Sequence, residues 1–258
     1  MTTTASLTLV GSGIKFLSHL THECKTYITQ SDLVLYLVND PAMKLWINNH
    51  SKKSESLDDI YVQHTDRLKC YHAITSYILK CVRDNQHVCV VLYGHPCVYS
   101  MPGLNAIIQA ESEGYDTCIL PGISAEDCLF ADLRIDPSTT GCQSFEATDY
   151  LIHHRKLDTT SHVIFWQIDA IGILDHSSIK NKLGLELLLQ NLTLHYPPDH
   201  AVIIYEAAQY AGFQPRITRI CLKELVDVFL TKISTLYLPP THRATPDIEI
   251  MKKLNIII

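Results

Sequence analysis

Along the first half of the chain, short apolar runs alternate with longer stretches of three-and-four periodicity. Residues 6–10 alternate, turn apolar and end at Gly11-Ser12-Gly13, which predicts a first strand opening into a glycine loop. Residues 21–30 read as a helix, and 33–38 as a second strand rich in β-formers. Asp40 followed by Pro41 is cap chemistry with proline at the first helical position, so a helix starts there. The polar stretch 48–59 predicts an exposed loop. From 66 to 83, Leu68, Tyr71, Ala73, Ile74, Ile78, Leu79 and Val82 recur at helical spacing. Strand 88–92, helix 104–113, strand 118–120 and helix 124–131 follow. This alternation predicts a mostly parallel α/β layer structure.

The pattern changes after the turn-rich Ile135-Asp136-Pro137-Ser138-Thr139-Thr140-Gly141. The second half opens at 144–147, with strands at 162–167, 201–206, 216–221 and 234–238 and helices at 179–196 and 246–254. Strands that are adjacent in sequence predict a mixed α/β domain. The expected division is a mostly parallel α/β domain over 1–135 and a mixed α/β domain over 136–258.

Two Gly/Pro loops carry the candidate chemistry. Tyr93-Gly94-His95-Pro96 ends one apolar run, and Pro121-Gly122-Ile123-Ser124-Ala125-Glu126-Asp127 ends the next. Turns at the carboxyl ends of neighbouring strands form the crevice in which open α/β sheets bind ligands. Gly94 permits close approach of backbone to a ligand and Pro96 stiffens the turn; a plain turn is the competing reading. Ser124 with Asp127 three residues on resembles a capping box, which is compatible with N–H groups facing a ligand. Gly11-Ser12-Gly13 lacks the third glycine of a dinucleotide loop, since position 16 is Phe, and a strand-ending turn is an equal reading.

Tyr61, Arg67 and Tyr71 form a third set. Arg67 and Tyr71 are four apart on one predicted helix face, and Tyr61 lies just before it. Placed near Tyr93, they would surround a polar spot with three phenols and a guanidinium. An adjacent Arg favours a phenolate and makes it a base for a weakly acidic proton. Spacing alone favours the plainer reading, with Tyr71 in the core and Arg67 in water. Trp166-Gln167, Tyr205-Glu206-Ala207-Ala208 and Ser234-Thr235 are strand-end positions that could line the same crevice.

Composition narrows the partners. The 258 residues are 47% hydrophobic and 19% charged, enough to fill a core. The net charge of −6 argues against broad binding of a nucleic-acid backbone. Nine cysteines show no CxxC and no zinc spacing, which predicts reduced thiols in a cytoplasmic protein and no metal site. Cys97, beside His95-Pro96, is a candidate nucleophile, although no Cys-His-Asp arrangement is legible. The fourteen histidines are scattered. There is no signal-peptide pattern and no apolar run near the roughly 18 residues of a membrane span, so no membrane is expected. The terminal Ile256-Ile257-Ile258 could pack as a last strand or against a partner.

Together, Val10-Gly11-Ser12-Gly13, Gly94-His95-Pro96, Pro121-Gly122-Ile123-Ser124 and Thr235-Leu236 resemble the tetrapyrrole methylase superfamily of S-adenosylmethionine-dependent methyltransferases. Within it, Tyr93-Gly94-His95-Pro96 and the run from Pro121 to Leu133 closely resemble the borosin peptide backbone N-methyltransferases. Ile135-Asp136-Pro137, Gln143-Ser144-Phe145-Glu146-Ala147 and Trp166-Gln167-Ile168 extend the resemblance over nearly the whole chain. It implies two α/β domains of tetrapyrrole-methylase type with the cofactor cleft between them, in a homodimer. The family's tyrosine–arginine–tyrosine set falls on Tyr61, Arg67 and Tyr71, and its further tyrosine on Tyr93, implying a catalytic role for all four. Cofactor contacts implied in the same way are His95, Val98, Ser100, Ser124, Ala125, Gln167, Ala208 (or Ala207), Ser234 and Thr235.

The implied activity is iterative α-N-methylation of peptide backbone amides with S-adenosylmethionine, giving S-adenosylhomocysteine. Fungal members carry their substrate as a long C-terminal extension, whereas this chain stops at Ile258. It thus resembles the bacterial split type, whose precursor peptide is a separate protein. A methyltransferase acting on a tetrapyrrole-like small molecule is the alternative, against which His95 and the Tyr61/Arg67/Tyr71 set argue.

Overall fold

A computed structural model describes residues 5–63, 66–84, 86–173 and 182–256. The chain forms two compact units. The first holds everything up to Arg134, and residues 207–215 belong with it although they lie far along the sequence.

In the first unit β1 (Ser6–Gly11), α1 (His22–Gln30), β2 (Leu33–Leu37), α2 (Pro41–His50), β3 (Ser54–Ser56), α3 (Asp58–Gln63), α4 (Arg67–Arg83), β4 (His87–Leu92), α5 (Met101–Ser112), β5 (Asp116–Leu120) and α6 (Ala125–Leu133) follow in turn. The sheet order is β3-β2-β4-β1-β5, and every neighbouring pair is parallel. Alternate strand residues enter opposite cores, as the twofold repeat of a strand requires. Leu7, Leu9, Leu35 and Val90 join Cys70, Ile74 and Ile78 of α4 and Ala106 and Ala110 of α5. Val10, Val34, Tyr36 and Val91 join Cys24 and Ile28 of α1 and Met43 and Ile47 of α2. A side chain of this size contributes about 1.5–3 kcal/mol when fully buried, so both faces of the sheet stabilise the unit.

The caps behave as the local chemistry dictates. Asp40 accepts from Ala42 N–H ahead of Pro41, and Asp66 accepts from Lys69 N–H at the start of α4. Two expectations change. The polar stretch 48–59 is not simply a loop: it contains the edge strand β3 and the first turn of α3, because pairing with β2 satisfies its backbone despite its polar side chains. Leu68, counted on the apolar face of α4, is 60% exposed; Cys70 and Thr75 take buried places instead.

In the second unit β6 (Cys142–Glu146), α7 (Ala147–Ile152), β7 (His162–Trp166), α8 (Lys182–Leu192), β8 (Ala201–Glu206), β9 (Arg216–Cys221), β10 (Thr235–Leu238) and α9 (Ile248–Lys253) are arranged around a sheet of order β6-β7-β10-β8-β9. Only β6 and β7 pair in parallel, so this sheet is mixed. Val163, Phe165, Val202, Ile204 and Leu236 bury against Tyr150 of α7 and Leu185, Leu188 and Leu192 of α8. The short helix α7 had no sequence signal of its own. The expected start of the helix over 179–196 and the last two isoleucines lie outside the described residues. Among the described residues, no helix is long and apolar enough to cross a membrane.

Candidate functional site

The site is organised by where the parallel strands end. From β1 the chain crosses to β2 on one side, and from β4 it crosses to β5 on the other, while β1 and β4 are neighbours. Adjacent strands whose connections diverge leave a crevice at their carboxyl ends. The loops after β1, β4 and β5 open there.

These loops are locked together through glycines. Gly13 N–H donates to the Gly94 carbonyl and Gly94 N–H to the Gly13 carbonyl, each at 3.1 Å, and Ser12 N–H donates to Leu92 at 2.8 Å. Gly13 and Gly94 both have φ of +70°, a region that favours glycine. A Cβ on Gly11 or on Gly122 would lie 2.3 Å from the Gly94 oxygen. The close approach expected of Gly94 toward a ligand is therefore filled on one side by neighbouring backbone. Its own Cβ direction is nearly open, with only the Ile14 Cδ1 at 3.4 Å. His19 braces the first loop: its Nδ1 accepts from Lys15 N–H at 3.2 Å and Ile14 N–H at 3.4 Å. Burial, and then Lys15, hold its imidazole below the ordinary histidine range.

After β4, His95 Nδ1 accepts from Cys97 N–H at 3.0 Å, so the proton of the neutral ring sits on Nε2 and can be donated outward. Val98 is exposed, and Ser100 caps α5 without using its hydroxyl for the cap. Desolvation lifts the Cys97 thiol above its ordinary range, which disfavours the thiolate a nucleophile needs. After β5, Ser124 and Asp127 make a full capping box: Asp127 N–H donates to Ser124 Oγ at 3.1 Å, and Ser124 N–H and Oγ–H both reach Asp127 Oδ2 at 2.7 Å. The Ser124 hydroxyl is thus engaged locally, while Ala125, at the first helical position, has an N–H with no place in the helical ladder.

The tyrosine–arginine set divides. Tyr61 on α3 and Tyr71 on α4 pack against the same core, and Tyr71 and Arg67 both act electrostatically on the Tyr61 hydroxyl. Cys70 Sγ, 3.7 Å from the Tyr61 carbonyl, holds the end of α3 against α4. Burial raises the Tyr61 phenol above its usual range and outweighs the lowering by Arg67. The Arg67 Nε is buried with no hydrogen-bond partner among the described residues. Tyr93 is held differently: its hydroxyl meets the side-chain amide of Gln209, and burial raises its phenol. Gln209 carried no sequence signal beyond following Ala207-Ala208.

In the second unit, Gln167 ends β7 in the left-handed region, with φ of +56°. A non-glycine residue held there costs on the order of 1–2 kcal/mol. Since β7 and β10 are antiparallel with Phe165 opposite Leu236, Gln167, Ser234 and Thr235 meet at one end of the sheet. Ser234 and Thr235 are buried. Ser234 donates to Glu206 Oε1 at 2.5 Å and accepts from Thr231 N–H at 2.8 Å. The same Glu206 oxygen receives the Thr231 hydroxyl at 2.9 Å and Arg216 Nη1 at 2.8 Å. Sequence reading noted Glu206 only as a strand-end residue. Ala208 is buried and belongs to the first unit.

Residues 6–225 match the family profile of the Tetrapyrrole (Corrin/Porphyrin) Methylases. The chain belongs to this family. Solved structures agree on the fold of a tetrapyrrole methylase: uroporphyrin-III-C-methyltransferase from Thermus thermophilus aligns over 97% of this chain and 96% of its own, with a TM-score of 0.64 at 17% identity. Cobalt precorrin-4 methyltransferase aligns over 91% and 94%, with a TM-score of 0.63 at 16% identity. Curated relatives have higher identity. A methyltransferase/ribosomally synthesized cyclic peptide gymnopeptides precursor of Gymnopus fusipes is 39% identical over 257 residues, 98% of this chain and 61% of the relative. The corresponding omphalotin A precursor protein of Omphalotus olearius is 35% identical over 263 residues, 99% of this chain and 63% of the relative. The chain thus spans about three fifths of the length of these curated relatives.

Proposed function

We propose that this chain methylates backbone amide nitrogens of a peptide, with S-adenosylmethionine as methyl donor. The observation that carries the reading is the convergence of Tyr61 and Tyr71 around an Arg67 whose buried Nε lacks a partner among the described residues. A buried donor left unmatched costs about 1–3 kcal/mol, and such groups are kept where they have a chemical task.

The loop residues fit the cofactor. His95 offers an Nε2–H and Ser100 a hydroxyl, and Ala125 offers an N–H at a helix N-terminus, where a carboxylate is favoured. Gln167, Ala208, Ser234 and Thr235 complete the proposed contacts. When bound, S-adenosylmethionine supplies an electrophilic methyl group on a sulfonium.

The amide nitrogen is planar, conjugated and a poor nucleophile. It must lose its proton as charge moves to the carbonyl oxygen. Tyr71, favoured as phenolate by the positive charge of Arg67, accepts that proton and becomes the neutral phenol. Tyr61 and Tyr93, whose burial keeps their phenols protonated, donate hydrogen bonds to the carbonyl oxygen. One set of tyrosines thereby divides into a base and two donors according to environment.

A separate precursor has no support from the relatives, whose names join methyltransferase and precursor in one polypeptide. A peptide substrate is proposed in either covalent arrangement, and the homodimer belongs to the same reading, checked by light scattering.

Intact mass spectrometry is the test. Precursor peptides encoded beside the gene are incubated with the protein and S-adenosylmethionine, both in trans and as C-terminal fusions. Successive one-methyl steps that fragment to backbone nitrogens are expected. No mass change, with cofactor binding measured separately by calorimetry, would replace the peptide by a small-molecule substrate.

A further inference from the structure

Residues 207–215 are seated in the first unit by three hydrogen bonds. Phe16 N–H donates to the Gln209 carbonyl at 2.9 Å, the Tyr210 hydroxyl donates to Asp40 Oδ1 at 2.8 Å, and Gln209 Nε2 lies 2.9 Å from the Tyr93 oxygen. Phe16 and Tyr210 add a tilted ring contact at 6.4 Å. Gln209 is therefore fixed through its main chain as well as its side chain, and its amide cannot swing far from Tyr93.

Two arrangements of that contact compete. In one, Nε2–H donates to the phenol oxygen, and Tyr93 keeps its own proton for another acceptor. In the other, Tyr93 donates to Oε1 and its proton is turned away from any ligand. The nitrogen lies at 2.9 Å and Oε1 at 3.2 Å, so the first arrangement is the closer one.

We propose that Gln209 is a positioning residue that holds Tyr93 as a hydrogen-bond donor, with its proton directed at the carbonyl oxygen of a bound peptide. This rests on the role given to Tyr93 above. Donation from Nε2 also polarises the phenol O–H, because hydrogen bonds in a chain strengthen one another. A carboxylate in place of the amide would do the reverse: it accepts only, and would take the Tyr93 proton for itself.

Tyrosine ionisation gives a readout that needs no substrate. In protein labelled with 13Cζ-tyrosine and assigned with Tyr93→Phe, the phenolate fraction of Tyr93 is compared at one fixed alkaline pH in wild type, Gln209→Leu and Gln209→Glu. A bond donated to the phenol oxygen stabilises phenolate, so both substitutions are expected to lower that fraction. A bond donated by Tyr93 stabilises the phenol, so a rise in Gln209→Leu, or no change, overturns the proposal.

Turnover is read beside it on the methylated peptide. Loss of a well-aimed oxyanion donor costs about 10²–10³ in kcat, so Gln209→Glu is expected to lose about that much and Gln209→Leu about tenfold, with KM nearly constant. A shifted Tyr93 with unchanged kcat overturns the positioning role. A wild type that methylates no peptide overturns the parent reading instead, while the ionisation experiment still decides which way the Tyr93 hydrogen bond points. Circular dichroism confirms that each variant is folded. If Gln209→Leu unfolds, Gln209→Met, similar in length and without a donor, takes its place in the ionisation test, since a carboxylate lowers the phenolate fraction under either arrangement.

Discussion

Gly11 rests directly against the carbonyl oxygen of Gly94: a Cβ on Gly11 would sit 2.3 Å from it. The same oxygen faces Gly122, so one carbonyl is the meeting point of the loops after three parallel strands. Backbone that approaches this closely excludes every side chain. Gly11→Ala is expected to cost about 3 kcal/mol through overpacking. Gly94→Ala, whose Cβ has room but whose φ is left-handed, is expected to cost about 1–2 kcal/mol. Urea unfolding of the two variants checks the order, and equal losses would mean that sterics at Gly11 are relieved by loop movement.

Tyr71→Phe is expected to keep cofactor binding and lower turnover by about 10²–10⁴, the usual share of a general base. Arg67→Lys is expected to be damaging as well, because lysine lacks the planar fork. Arg67→Met separates function from folding. The Arg67 Nε has no partner among the described residues, so removing it is expected to change stability by less than about 1 kcal/mol, or to raise it, while abolishing activity. Wild-type turnover by Tyr71→Phe would remove the base from Tyr71.

Ser124 and Asp127 are expected to act as one unit. Each accepts from the backbone N–H of the other, and their side chains are joined at 2.7 Å. Ser124→Ala and Asp127→Ala are each expected to cost about 1 kcal/mol, and the double variant little more than either. Simple additivity in thermal unfolding would show that the box contributes nothing as a pair.

Glu206 should matter more than its strand-end position implies. One of its oxygens receives Ser234, Thr231 and Arg216. The side chain is mostly buried, with 13% exposed. Hydrogen bonds to a charged partner contribute about 1.5–3 kcal/mol, so Glu206→Gln is expected to cost about 2 kcal/mol and to loosen Ser234 beside Thr235. Measured weakening of cofactor binding with no loss of stability would contradict this structural reading.

Acid should act on the first unit through His19. Its folded pKa lies below the ordinary 6.5, chiefly through burial, so the unfolded chain binds the proton more readily. Stability from this residue is then present above about pH 6.5 and lost as pH falls below it. Carboxylates held below their ordinary range, such as Asp32 with its bond from His87 N–H, lose their contribution only at lower pH. His162 is lowered by burial too, so part of the slope belongs to the second unit. Thermal unfolding between about pH 7.5 and 5.5 is expected to be steeper in wild type than in His19→Gln. Parallel slopes would exclude His19.

Much of this protein follows from the sequence alone. Short apolar runs, with Asp40 and Ser124 at helix starts, define most elements of the first unit, because capping and the burial of a short apolar run are local chemistry. The loops at Gly94 and Gly122 were visible for the same reason. Strand pairing decided the rest. β3 is polar and becomes a strand only because β2 offers its edge, and Leu68 leaves the core because Cys70 faces it. Spacing on a helix can set Arg67 beside Tyr71, but only folding brings Tyr61 to them and turns Tyr93 toward Gln209, 116 residues away along the chain. At Tyr61 desolvation outweighs the nearby Arg67, a balance that spacing along the chain does not contain. Local sequence specifies elements and their ends; contacts between distant residues, and the dielectric around them, exist only once the chain has closed on itself.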